Sequence, residues 1–597
     1  MIKPLCLALT ASLLPLAGQT HLPPARAWSG ASEALVAGPQ DPWRTPAERL
    51  ELMDTPNYDD TIAYLRKLTK ACRWLKLIPF GSSAQGRTLY LVLATKARAF
   101  TPAALKASGK PTLMAQGGIH AGEIDGKDAG LMLLRDIAVH HKDSLLDQAH
   151  FLFVPVFNVD GHERVSPFNR PNQRGPIHMG WRTTAQNLNL NRDYLKADAP
   201  EMRAMLGLYR HWAPDLVLDL HVTDGIDYQY DITFGYNGFD GGFSYSPRIA
   251  QWLEQFYRPQ LMDALTKAGH LPRGLIFAIN DRDLEGGLGE GTASARFSTG
   301  YGDLRKTPTV LVENHSLKPY RQRVLGTYVL LEASLAALGH HGQGLQTAIR
   351  ADQNARPAQL PLIADAPGGA TTETRFQGIA YETYVSPASG GAEVHWTGQP
   401  KTYEHLKVVH TQPDLQVSRP KAYWVPVTKP EVIDRLRLHG VRLETLTTAT
   451  TRTLEMYRLV APVAAALPSE GHHTLAAQVS KSLREETFPA GSVRVSTDQP
   501  LGDLVMLLLE PQSPESLLAW GFFPEILERT EYMEGYAIAP LAEQLLSEHP
   551  DLKAEFAAKL AADPAFAGNP QARLAWFYAR SPYYDQRYLL YPVGRED

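Results

Sequence analysis

Gly117-Gly118-Ile119-His120-Ala121-Gly122-Glu123-Ile124-Asp125 follows an apolar run, Pro111 to Gln116, that reads as a buried strand. The stretch sets His120 and Glu123 three residues apart, where that strand should turn into a helix. An imidazole and a carboxylate at this spacing reach one metal ion, and the flanking glycines let the backbone bend tightly around it. A Gly-flanked His-x-x-Glu also occurs by chance in unrelated chains, so the meaning of the pair depends on what the rest of the chain brings to it.

Outward from this stretch, short apolar strands alternate with helices. Asp60 to Trp74 has helical spacing, and Leu77 to Gly81 with Gly86 to Leu93 reads as a hairpin. A helix is expected from about Glu123 to His140, a strand at Phe151 to Phe157, a helix near Pro200 to Trp212 and a strand at Leu216 to Leu220. A helix over Ser246 to Gly269, a glycine-dense loop from Gly286 to Gly302, a strand at Thr309 to Val312 and a helix near Tyr320 to Leu338 complete the pattern. The pattern predicts an α/β domain over 45–340, a mixed, mostly parallel sheet with helices on both faces. Residues 345–465 read as β-rich and 470–597 as α+β.

Four of these strands end in polar groups: His120 with Glu123, Asn158-Val159-Asp160-Gly161, His221, and Glu313. In open α/β sheets the binding crevice lies beyond the carboxyl ends of the strands, so the four ends converge. Two His and one Glu with an open fourth position is the ligand set of a catalytic zinc. Taken singly, each residue has a duller reading as a satisfied strand end or a solvated cap. The loop after the second strand adds Arg182, in Gly180-Trp181-Arg182-Thr183, and Arg192, in Asn187-Leu-Asn189-Leu-Asn191-Arg192. Guanidinium groups suit bidentate recognition of a carboxylate or stabilisation of an oxyanion.

Composition limits the alternatives. The chain has 597 residues, 44% hydrophobic and 20% charged, with a formal charge of -4. That describes a globular chain of roughly two to four domains with no basic footprint for nucleic acid. No stretch after the leader has the roughly 18 uninterrupted apolar residues of a membrane span. Lys3, the apolar run Leu5 to Leu16, and small residues up to Ala25-Arg26-Ala27 form the layout of a secretory signal peptide over 1–27. Export to the periplasm or medium is therefore expected. Cleavage would leave Cys72 as the lone cysteine, without a disulfide partner in the chain.

Together these residues resemble the zinc carboxypeptidases, the M14-type metallopeptidases, over roughly Tyr58 to Leu338. The markers are Gly81 to Arg87, His120-Ala-Gly-Glu123, Asn158-Val-Asp160-Gly161, Asn191-Arg192, His221 and Glu313. The resemblance implies a zinc-carboxypeptidase-like fold and about one zinc ion per chain, held by His120, Glu123 and His221. It implies that Glu313 takes a proton from the attacking water and passes it to the leaving amine. It also implies that Arg182 polarises the scissile carbonyl and that Asn191 and Arg192 grip the C-terminal carboxylate of a peptide. The sequence departs from the family pattern in three places. Asn189 stands where the family has an aspartate behind the first zinc histidine. Leu288 to Ser298, the zone of the family's mobile active-site tyrosine, contains no tyrosine, and Tyr301 is the nearest candidate for substrate contact. The residue that sets side-chain preference does not align through the glycine-dense loop. Two other readings stay open: a related zinc hydrolase acting on cell-wall peptides, and a peptidase-like binding protein without activity.

Overall fold

The computed structural model describes residues 21–597, so residues 1–20 of the expected leader lie outside the described residues. Two compact units are present. Among the described residues, the first comprises 21–419, Asp434–Arg442 and Thr497–Leu507, and the second comprises Pro420–Ile433, Leu443–Ser496 and Leu508–Asp597.

The first unit is built on β1 (Leu75–Ser82), β2 (Thr88–Ala94), β3 (Thr112–Gly117), β4 (His150–Val154), β5 (Leu216–Thr223), β6 (Ile232–Gly235) and β7 (Pro272–Gly274). Two short strands of another sheet, β8 (Phe277–Ala278) and β9 (Leu288–Glu290), precede β10 (Thr309–His315). The eight-stranded sheet runs in the order β1-β2-β4-β3-β5-β10-β6-β7. Its centre, β4-β3-β5-β10, is parallel, while the β1–β2 hairpin and β6 join it antiparallel. Every residue of β3 and β4 is buried, which requires cover on both faces and explains why both read as continuous apolar runs. Helices Asp125–Val139 and Tyr320–Asn354 pack against each other, and helices Tyr58–Ala71 and Pro200–Trp212 pack against β1.

The differences from expectation have local causes. The last helix of the sheet runs to Asn354 instead of closing near Leu338. The polar segment Gly339 to Gly344 hides its periodicity, but Leu345 and Ala348 continue the buried stripe of Leu338. Ser246 to Gly269 is carried by Pro247–Trp252, one π-helical turn over Leu253–Tyr257, and Arg258–Lys267. Pro259 has no N–H for the preceding turn, and the widened turn lies just ahead of it. Inside the glycine-dense loop, Ser298–Arg305 is helical despite Gly300 and Gly302, two residues of low helix propensity.

Further along the first unit, β11 (Gln359–Ala366) pairs with β14 (Gln412–Ser418), and β12 (Thr371–Val385) forms a long hairpin with β13 (Ala392–His410). β13 also runs parallel to β9, with His410 opposite Glu290. The second unit has a six-stranded sheet from β15 (Ala422–Val425) to β20 (Gly594–Glu596), dominated by the hairpin of Thr450–Ala464 with Leu475–Phe488. Helices Gly535–Glu548, Pro550–Ala562 and Pro570–Tyr578 close over Ile538, Phe556, Phe566 and Phe577. No helix among the described residues is long and apolar enough to cross a membrane.

Candidate metal centre and active-site cleft

His120 and Glu123 stand in the turn between β3 and helix Asp125–Val139. β5 lies beside β3, with Leu220 opposite Gly117, so the next residue, His221, emerges at the same edge of the sheet. β10 lies beside β5 with Glu313 in register with His221. Three adjacent parallel strands thus deliver all four groups to one place. Glu123 Oε2 is 3.2 Å from His120 Nδ1 and 2.9 Å from His221 Nδ1. The candidate ligand atoms of the three residues lie within 4.8 Å of one another, and all three side chains are buried.

The outer contacts of the cluster fit a metal site. His120 Nε2 is 3.0 Å from Asn189 Oδ1, and His221 Nε2 is 2.9 Å from Asp219 Oδ2. His120 Nε2 thus faces the Asn189 amide oxygen and His221 Nε2 the Asp219 carboxylate, while both Nδ1 atoms face Glu123 Oε2. The amide at 189 does take the aspartate's place behind the first histidine. The charged support falls on the second histidine instead, from Asp219, two residues earlier on the same face of β5. Gln116 Nε2 donates to the other oxygen of Asp219 at 2.8 Å and holds it in place.

Glu123 Oε1 is held from the opposite side. Arg170 Nη2 lies 2.9 Å from it and Arg182 Nη1 3.0 Å. Arg170 is buried, and spacing along the chain does not single it out. It arrives from a loop rich in Arg, Asn and Gln, Asn169 to Arg174, and that polar density is its only signal in the sequence. Gly122 is needed for this approach: a Cβ there would sit 2.7 Å from Arg170 Cγ and 2.8 Å from the Gly180 carbonyl.

The charges follow from these contacts. Burial holds the His120 imidazole below its usual range, in the neutral form a ligand needs. Burial also opposes protonation of His221, but Asp219 and Glu123 outweigh it and hold that imidazole well above its usual range. Burial works against the charge on Glu123 too, yet His120 and Arg170 keep its carboxyl well below the usual range. Glu313 is pushed up to about 8, first by burial and then by Glu123 and Asp219. Its Oε2 is covered and has no hydrogen-bond partner.

A cleft of about 700 Å³ opens over the cluster, lined by His120, Glu123, His221, Glu313, Arg170 and Arg182 at one end. Asn191 and Arg192 line it as well. Asn191 Oδ1 accepts from Ser298 N at 3.1 Å, and the Arg192 guanidinium lies 4.2 Å over the Phe297 ring with Nη1 on the Asn191 carbonyl. The Asn158 to Gly161 turn holds the Arg182 loop. Asn158 Nδ2 donates to the Arg182 carbonyl at 3.2 Å, and Trp181 N donates to the Gly161 carbonyl at 2.7 Å. Asp160 in turn binds Ser83, the Gln85 N–H and Arg87, so the Gly81 to Arg87 turn braces this loop.

Tyr301 is not brought to the cleft. It lies on the first turn of helix Ser298–Arg305, fully buried against Tyr194 and Tyr209, with its hydroxyl 3.0 Å from His439 Nδ1. The helix points it into the fold, where a polar tip with a buried partner is stable and no substrate reaches.

Comparisons with known proteins bear on the domain that carries these residues. Residues 61–237 match the family model described as zinc carboxypeptidase. Carboxypeptidase 2 of Trichophyton rubrum is 24% identical across 79% of this chain and 84% of its own length, and that of Trichophyton tonsurans is 23% identical over the same shares. Among solved structures, a metallo-carboxypeptidase from Pseudomonas aeruginosa overlaps 49% of this chain and 71% of its own, at 20% identity and a TM-score of 0.36, too loosely to carry detail across. Residues 61–237 thus match the zinc carboxypeptidase model, and the likeness of the chain to carboxypeptidases supports a metallopeptidase.

Proposed function

We propose that this protein is an exported, zinc-dependent carboxypeptidase that releases residues singly from peptide C-termini, with Glu313 as general base. The observation that carries the reading is the pairing of a buried His-Glu-His cluster with an unpartnered carboxylate oxygen beside it, at the end of the neighbouring strand. Zinc held by His120, Glu123 and His221 would act as a Lewis acid on the scissile carbonyl and the attacking water, and would offset the negative charge that lifts Glu313. Glu313 Oε2 then accepts the proton of the attacking water and returns it to the leaving nitrogen. Arg182 uses one N–H on Glu123 and keeps others for the oxyanion. Arg192, fixed in direction by Phe297 and the Asn191 carbonyl, binds the terminal carboxylate together with Asn191.

The test is incubation of the purified protein with peptides and identification of products by mass spectrometry. Single residues leave the C-terminus under this reading, while internal fragments would remove the roles of Asn191 and Arg192. Chelation abolishes the activity and zinc restores it. Glu313→Gln lowers kcat by roughly 10²- to 10⁴-fold, the usual contribution of a positioned acid–base group. Full activity in that variant would sink the mechanism.

A further inference from the structure

A second cavity of about 530 Å³ adjoins the catalytic cleft. Tyr236, Leu275, Phe277, Thr292 and Thr411 line both, so the two share a wall. The far side of the second chamber comes from the Thr371–Val385/Ala392–His410 hairpin and its flanks, through Gly369, Thr372, His410 and Gln412. These residues all lie outside the stretch that matches the family model.

The chamber has one distinctive charge. Glu290 and His410 face each other as register partners of β9 and β13, but their nearest charged atoms are 3.7 Å apart, beyond hydrogen-bond reach. His410 Nε2 is engaged by Thr372 Oγ1 at 2.8 Å. Asp240, the other carboxylate of the lining, is paired with Arg258. Glu290 is only 29% exposed, and burial followed by Asp240 lifts its carboxyl above the usual range against the pull of His410, Arg273 and Arg258. An added cation would relieve this. Beside it Phe277, 53% exposed on the shared wall, offers an uncovered aromatic face.

We propose that this chamber is a second substrate subsite, in which Glu290 binds a cationic side chain on a residue upstream of the scissile bond of the same peptide. The inference rests on the peptidase reading above. Asn191, Arg192 and the cluster line the cleft and not the second chamber, so a terminal residue gripped there leaves the chamber to a further residue of the chain. Glu290 supplies the charge, and Phe239, Phe243 and Phe277 supply apolar contact for the alkyl stem of a lysine or arginine.

The experiment compares a blocked dipeptide with pentapeptides carrying lysine or glutamine at each upstream position, and with one carrying lysine at the terminal position. It uses the full chain and its Glu290→Gln variant. Binding of the fluorescently labelled lysine peptides is measured alongside turnover. For one upstream position, lysine should be preferred about five-fold in kcat/KM and in affinity, the scale of a partly hydrated ion pair. Glu290→Gln should erase that preference and leave the blocked dipeptide unchanged. A preference that survives Glu290→Gln, or that appears only for terminal lysine, overturns the assignment. If the dipeptide is not cleaved, the peptidase reading fails, and the binding measurement still decides whether Glu290 recognises the cation.

Discussion

At the scale of single residues, the metal cluster is supported asymmetrically. His120 leans on a neutral amide, Asn189, and His221 on a buried carboxylate, Asp219. A charged acceptor raises the basicity of the imidazole it holds, so His221 carries the stronger outer support. Asp219→Asn should lower zinc affinity about 10- to 100-fold, as read by competition with a chromogenic chelator. Asn189→Asp should move affinity the other way. Equal affinities in all three proteins would show that these contacts orient the rings without tuning them. The candidate ligands were legible in the chain because each follows an apolar run, where strand chemistry gives way to polar groups. Asp219 was equally visible, two residues before His221, but its role depends on which face of β5 meets Gln116. Arg170 was not legible, since its contact with Glu123 is made by a loop with no periodicity. Tyr301 was misjudged for a related reason. Distance along the chain from Glu313 says nothing of direction once an unforeseen helix, Ser298–Arg305, intervenes.

At the scale of elements, the parallel centre of the sheet does most of the positioning, and it was readable. β3, β5 and β10 are apolar runs of the right length, though their adjacency is not set by chain order, since β4 intervenes between β3 and β5 and β6 to β9 between β5 and β10. The loops were not readable, because their order comes from contacts distant in sequence. The turn Asn158 to Gly161 illustrates this: its side chains and backbone hold the Trp181–Arg182 segment, while Asp160 is held by the Gly81 to Arg87 turn. A Cβ on Gly161 would come within 2.6 Å of the carbonyls of Trp181 and Thr183. Gly161→Ala must therefore push the loop away, and Arg182 with it, while leaving the candidate metal ligands, in the turn after β3 and on β5, in place. Misplacement of a catalytic group by about 1 Å costs roughly 10²-fold in rate. The variant should lose about that much in kcat and keep its full metal content by elemental analysis. Loss of metal together with activity would mean that the loop supports the cluster itself.

At the scale of the whole molecule, the first unit buries imidazoles that stay neutral. Burial, its largest cause in each case, holds His150, His162 and His315 down to about 4 and His439 to about 3. Buried carboxyls act in the opposite sense, since Asp125 and Asp193 are lifted by burial to about 6 and take up protons in the folded state first. The net acid response of the protein is thus a difference between opposing sets, and one member has to be isolated to test it. His439 suits this, because its Nε2 donates to the Leu195 carbonyl and its Nδ1 accepts from the Tyr301 hydroxyl. Both nitrogens are used in the neutral tautomer, so protonation has no room. Its folded pKa lies below the unfolded value near 6.5, so above that pH both states are neutral and the site is indifferent to pH. As pH falls through 6.5 toward 3, the unfolded chain takes up a proton that the folded one refuses, and stability drops. At pH 5 this one site costs about 2 kcal/mol. His439→Gln removes the titration along with the hydrogen bonds. The variant should be less stable than the parent at pH 7, and denaturant unfolding should show that deficit shrinking by about 2 kcal/mol at pH 5. A deficit that stays constant between the two pH values would mean that His439 is protonated alike in both states, and that the contact with Tyr301 is not the one described.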